Sequence, residues 1–272
     1  MLTCASTLTP SPVAAQEKSA TRTGFTLSPG AKTILLVRPT IKVGAQSTGG
    51  MFEPNADWTE QARGNIATAL GTAQGRLGNR VFVADEPVGP AAATLADYRA
   101  LFSTVADAVV TYQFFPGNRL PTKKRKDAPF LWTLGPGIRA IPGAADADYI
   151  LFLETEDHFG STGRKVAQVF AAAAGVGITS GLHKGFAGLV DARTGDLLWL
   201  NADRQMGGDV REEDGAARRV AQLLEDFPGS IPAAPKPAVA TVRPSSGAAG
   251  IRAFRNAQRH PRQDADRSPA PL

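Results

Sequence analysis

The chain alternates short apolar runs with longer stretches whose apolar residues recur every three or four positions, the pattern of strands interleaved with helices. Lys32-Thr33-Ile34-Leu35-Leu36-Val37-Arg38 is a continuous apolar run closed by Pro39, which predicts a buried strand ending where proline would interrupt a ladder. Asp57-Trp58-Thr59-Glu60 has the form of a capping box, and Ala62, Ile66, Leu70, Ala73 and Leu77 follow at helical spacing. Arg80 to Ala84 reads as a second strand. Leu95, Tyr98, Phe102, Val105, Val109 and Tyr112 form one stripe, so Ala93 to about Tyr112 is predicted as an amphipathic helix with that stripe in the core.

Leu131 to Ile141 reads as a short helix interrupted by Gly135-Pro136-Gly137, and Tyr149 to Leu153 as a third strand. Phe186 to Asp191 and Leu197 to Asn201 flank a loop with turn chemistry, Ala192 to Asp196, and predict a hairpin. Ala216, Val220, Leu223 and Leu224 mark a last helix that ends before Pro228. The expected fold is therefore α/β, a mixed sheet of about five strands with helices packed on it, in the order β-α-β-α-β-(α)-β-β-α.

The ends change the picture. Residues 1–30 and 230–272 are rich in Pro, Ala, Ser, Thr and Arg, a composition that buries too little to offset ordering. The expectation is a leader remnant with a disordered N-terminus over 1–30, one α/β domain over 31–229, and a disordered basic tail over 230–272. Val13-Ala14-Ala15 offers small residues for a signal-peptidase cut before Gln16, while the charged and apolar parts of a leader are expected upstream of Met1. Cys4, the only cysteine, permits a lipid anchor as the rival reading and rules out an intramolecular disulfide or a Cys-based zinc site.

The net charge of +5 comes from the tail, where Lys236, Arg243, Arg252, Arg255, Arg259, Arg262 and Arg267 face only Asp264 and Asp266. Lys123-Lys124-Arg125-Lys126 is a second basic run. Both read as solvated charge, with polyanion binding as the rival and nucleic acid not expected. From Val166 to Leu182 seventeen residues carry no charge. The stretch is too short and too rich in Ala and Gly to span a bilayer, and it reads as a helix packed closely on the sheet or against another subunit.

Glu154-Thr155-Glu156-Asp157-His158, at the expected end of the third strand, is the best polar cluster. Carboxylates beside a histidine could hold a divalent metal or work as acid and base, so Glu154, Glu156, Asp157 and His158 are the candidate site of a metal-assisted hydrolase. Strand alternation would set Asp157 apart from Glu154 and Glu156, and a solvated strand end is the competing reading. Gly175-Val176-Gly177-Ile178-Thr179-Ser180-Gly181 puts Ser where a dinucleotide loop needs its third glycine; no Walker loop or serine-hydrolase elbow occurs. No catalytic residue, cofactor or metal is assigned, and His183 is placed in a loop.

Ala147 to Leu153, followed by Gly185 to Asn201 with its Leu-Val-Asp-x-x-Thr-Gly-x-x-x-Trp hairpin, resembles the small α/β domain of the curli-secretion lipoprotein family, the penicillin-binding-protein activator lipoproteins and the N-terminal domain of the Tol-Pal propeller protein. With Asp57-Trp58-Thr59-Glu60 and Gly208-Asp209-Val210-Arg211 it is similar to exported proteobacterial proteins. The resemblance implies a non-enzymatic accessory or assembly role in the periplasm or cell envelope. It also implies an envelope protein partner or further copies of the chain, and membrane contact only through a leader or lipid anchor. Trp58, Trp132, Phe186 and Trp199 are the aromatic candidates for a contact face.

Overall fold

A computed structural model describes residues 18–124, 129–175 and 181–231. Cys4, the Val13-Ala14-Ala15 site, Arg125-Lys126, the centre of the glycine-rich stretch and the tail from residue 232 lie outside them. Among these residues the fold is mixed α/β: an open sheet of nine strands with helices on both faces.

Strands β2 (Thr33–Leu36), β5 (Arg80–Val83) and β7 (Tyr149–Gly160) follow the predicted apolar runs. β2 runs parallel to both β5 and β7. β2 ends at Leu36, just before Pro39, as the proline predicts. After the break at Val37-Arg38-Pro39 the chain continues as β3 (Thr40–Gln46), parallel to the far half of β7, from Thr40 opposite Glu154 to Gln46 opposite Gly160. β4 (Phe52–Pro54) folds back on β3. The alternation of Ile41 and Val43 with Lys42 was the sign of β3; both apolar side chains are buried and Lys42 is exposed.

The hairpin forms as β8 (Leu182–Asp191) and β9 (Asp196–Asp203), antiparallel to each other, with β8 antiparallel to β7. β1 (Ser19–Thr21), inside the segment expected to be leader and disordered, pairs with β9, as does β6 (Trp132–Thr133), which replaces the first part of the helix expected over 131–141.

α1 (Ala56–Gln74) and α4 (Glu213–Leu223) cover one face of the sheet, where Ala62, Ile66, Leu70, Val220 and Leu223 pack on Leu151, Leu153 and Trp199. The cap of α1 is Asn55, whose side chain accepts from Trp58 N, rather than Asp57. Asp57 instead lies in the first turn, where its charge suits the helix dipole. α2 (Pro90–Val109) covers the other face through Leu95, Phe102, Ala106 and Val109, packed on Ile150, Phe152 and Phe186. Phe102 lies directly over Gly188, whose missing side chain would sit 2.4 Å from the ring.

Two expectations about helices change. α2 runs into a π-helical turn, Val110–Phe114. The wider turn puts Val109 and Val110, then Gln113 and Phe114, on the buried side. Tyr112, predicted in the core stripe, is thereby turned outward. The charge-free stretch opens as α3 (Thr162–Ala173), capped by Ser161, and instead of packing its apolar stripe on the sheet it leaves Val166, Val169 and Phe170 in solvent.

Candidate functional site

β7 is twelve residues long, so the cluster from Glu154 to His158 sits within the strand and not at its end. Strand alternation sends Glu154, Glu156 and His158 to the α2 face and Thr155 and Asp157 to the α1/α4 face. The cluster is also not solvated. It is divided into two charge networks, one on each side of the sheet: the one around Asp157 is fully buried, and the one around Glu156 reaches out to exposed partners.

On the α1/α4 face Asp157 is fully buried and receives a guanidinium fork from Arg219, Nη2 to Oδ1 at 2.7 Å and Nη1 to Oδ2 at 2.9 Å. Thr155 Oγ1 donates to Oδ2 at 2.9 Å and His183 Nδ1 to Oδ1 at 2.7 Å. An ionised carboxylate can only accept, so the proton of this bond belongs to His183 Nδ1, and in the neutral ring Nε2 is the acceptor. Burial pushes the Asp157 carboxyl up, but the bonds from His183 and Arg219 outweigh it and hold it below its ordinary value.

Arg219 is itself fully buried and spends its other donors on the carbonyls of Gly207 and Gly208, 3.1 Å each, and on Thr155. The close approach of that loop to α4 depends on glycine. A side chain at Gly215 would fall 1.9 Å from the Asp209 carbonyl, and Gly208 adopts a φ of +86°. Beside this network Arg211 is forked by Asp209 and lies 3.7 Å over the Phe159 ring and 4.6 Å over Trp58.

On the α2 face charges alternate in a row. Arg204 pairs with Asp107 at 3.0 Å, Asp107 with Lys184 at 3.7 Å, and Lys184 with Glu156 at 3.2 Å. Glu156 also bonds His158 Nε2 at 2.7 Å, and the His158 ring stacks on Phe52 at 4.1 Å. Burial raises the Glu156 carboxyl, and the Lys184 charge with the His158 and Lys184 bonds more than reverses that. Glu154, buried beneath α2, has weaker support: Ser103 Oγ at 3.2 Å and Lys42 Nζ at 3.9 Å. Burial wins there and its carboxyl is raised. Glu154 forms the floor of a cleft of about 430 Å³ between α2 and β3, lined also by Thr40, Lys42, Arg99, Ser103 and Thr104.

The four predicted residues thus do not converge. Glu154, Glu156 and His158 share a face, but lysine ammonium groups stand between and beside the carboxylates, and Asp157 is across the sheet. Among the described residues no group of three or more His, Cys, Asp or Glu side chains is placed to hold a metal ion. His183 belongs to β8, not to a loop, and it and Arg219 are what the sequence reading missed. Arg219 had a signal: it falls between Ala216, Val220 and Leu223 on the buried stripe of α4, and an arginine there requires a buried acid. Of the aromatic candidates, Phe186 and Trp199 are fully buried.

No protein-family profile matches the chain. No curated protein matches it either. Among solved structures it is similar to a PelC dodecamer from Paraburkholderia phytofirmans, at 12% identity over 79% of this chain and 98% of that one, with a TM-score of 0.33. The first of these is a point-substituted variant; the unsubstituted PelC dodecamer, in another crystal form, gives 11%, 78%, 98% and 0.31. Lipoprotein GNA1162 from Neisseria meningitidis gives 17% identity over 64% of this chain and 80% of that one, with a TM-score of 0.23. A lipoprotein stands among these neighbours, but likenesses this distant carry no activity, partner or location to this chain.

Proposed function

We propose that the protein is a non-enzymatic accessory component of a bacterial cell envelope that assembles with further copies of itself through α3. The carrying observation is the outward face of that helix, where Val169 is 69% and Phe170 72% exposed beside Val166, while the same helix's Arg164 is buried. Apolar side chains of this size gain roughly 1.5–3 kcal/mol each when covered. A second copy suits the face better than an anionic surface does, because the helix carries no cation after Lys165 and its Ala-rich remainder allows close backbone approach. The close ion pairs of Asp157 with Arg219 and of Glu156 with Lys184 support a structural role for those two carboxylates. Export is supported by Val13-Ala14-Ala15 alone.

Light scattering of the purified full chain tests the assembly. The wild type should form species larger than a monomer with an unfolding temperature that rises with protein concentration, and V169K/F170K should be a folded monomer whose unfolding temperature no longer depends on concentration. A wild type that stays monomeric at high concentration and in crosslinked envelope extracts would end this reading. Cell fractionation with a tag after Leu272, and mass spectrometry of the mature N-terminus, tests the location: an unprocessed cytosolic chain would refute the export half.

A further inference from the structure

The π turn that ends α2 opens a lobe made of residues 110–124 and 129–134. Its frame is polar and closed. Trp132 Nε1 donates to Gln113 Oε1 at 2.6 Å, Leu120 N to the Tyr112 carbonyl at 3.1 Å, and Lys123 Nζ to the Pro129 carbonyl at 2.6 Å while lying 5.8 Å over the Trp132 ring. Four large apolar side chains on this frame face solvent: Tyr112 (44%), Phe115 (47%), Leu120 (38%) and Leu131 (56%). From Ala108 to Lys124 the chain has no acid and three cations, Arg119, Lys123 and Lys124, and from Pro129 to Ala145 it has Arg139 and again no acid.

We infer that this lobe is a membrane-contact surface, which seats Tyr112, Phe115, Leu120 and Leu131 in the interface of a bilayer whose anionic headgroups face the lysines. Aromatic and aliphatic side chains beside lysine match the chemistry of that boundary, where apolar bodies lie among acyl chains and cationic tips among phosphates. Polyanion binding would use the same charges, and single-stranded nucleic acid would use the aromatic rings. The two leucines are what favour lipid, since they offer no stacking plane. The cause is local: without the π turn Tyr112 would have continued the core stripe, so the same irregularity that buries Gln113 and Phe114 exposes the aromatic edge of the lobe.

Flotation of the full chain with vesicles of phosphatidylcholine containing phosphatidylglycerol, at about 0.15 M salt, tests this. The wild type should float, and the F115S/L131S variant should partition about tenfold less while keeping a cooperative thermal unfolding transition well above the assay temperature. Brominated acyl chains should quench fluorescence that the Trp132→Phe variant lacks. Equal flotation of wild type and F115S/L131S would assign the binding to the basic tail and overturn the proposal. So would the absence of Trp132-dependent quenching, or displacement of the vesicles by a single-stranded oligonucleotide.

Discussion

The two faces of β7 solve the same problem with different success. Both bury carboxylates of one short run, Glu154 to Asp157, under a helix. On the α1/α4 side a planar guanidinium reaches down from α4 and meets both oxygens of Asp157, and threonine and histidine complete its bonds. On the α2 side the cations are lysines from neighbouring strands. Lys184 reaches Glu156 at 3.2 Å, but Lys42 stops 3.9 Å from Glu154. All three acids lose hydration, Glu154 and Asp157 almost completely and Glu156 in part; the direction in which each carboxyl is displaced follows the quality of its partners. A fork fixed on a helix closes a buried charge, and a point charge on a flexible stem does so only where the backbone brings it close enough.

The largest test of this contrast breaks the closed side. Arg219→Met leaves Asp157 buried without its main partner and should cost about 3–5 kcal/mol of stability, read from denaturant unfolding. The D157L/R219M pair removes both charges and should regain part of that loss, because apolar residues of similar volume can replace a buried ion pair. If single and double variants were equally destabilised, the fork would be contributing shape and not charge compensation.

That network also marks where the sequence was legible. Strands β2, β5, β8 and β9 and the stripes of α1 and α4 were readable because each buries a regular apolar face, and period decides the element. Pro39 closes β2 as expected, and β3 was missed because a second strand resumes directly after that stop, on a ladder with the distant half of β7. The outward turn of Tyr112 was hidden because a π turn shifts helical register by one residue without any apolar signal. The candidate carboxylates were visible as a run, yet their fates were set by residues distant in sequence, such as Arg219 and Lys184, and only a covered strand brings those together. His183 looked like a loop residue because the charge-free stretch before it masked the start of β8.

A smaller effect should appear in acid. Asp157 and Glu156 have folded-state values below their ordinary 3.8 and 4.5. Below those ordinary values the unfolded chain binds more protons than the folded one, so stability rises with pH in that window. Their contribution is whole above the ordinary carboxylate range and is lost as pH falls through the depressed values. Urea midpoints measured from neutral pH down to about pH 3 should therefore fall, and Asp157→Asn should flatten the fall. An unchanged slope in that variant would mean that the four bonds to Asp157 do not favour its charged form.

The smallest effect is the sharpest, because its sign reverses on one face of one strand. Glu154 is raised by burial, so between its ordinary 4.5 and its folded value the folded chain holds the extra proton. Stability then falls as pH rises through the folded value. Glu154→Gln keeps the shape and the Ser103 bond and removes the buried charge, so it should stabilise by up to about 1 kcal/mol at neutral pH. Glu156→Gln, one step along the same face, should destabilise at neutral pH because it breaks the pairs with Lys184 and His158. Both differences from wild type should vanish in acid, where the native carboxyls are already protonated. Denaturant midpoints at acid and neutral pH read the pair together. Equal signs at neutral pH would show that Lys42 compensates Glu154 as fully as Lys184 compensates Glu156, and the distinction drawn between the two partners would be lost.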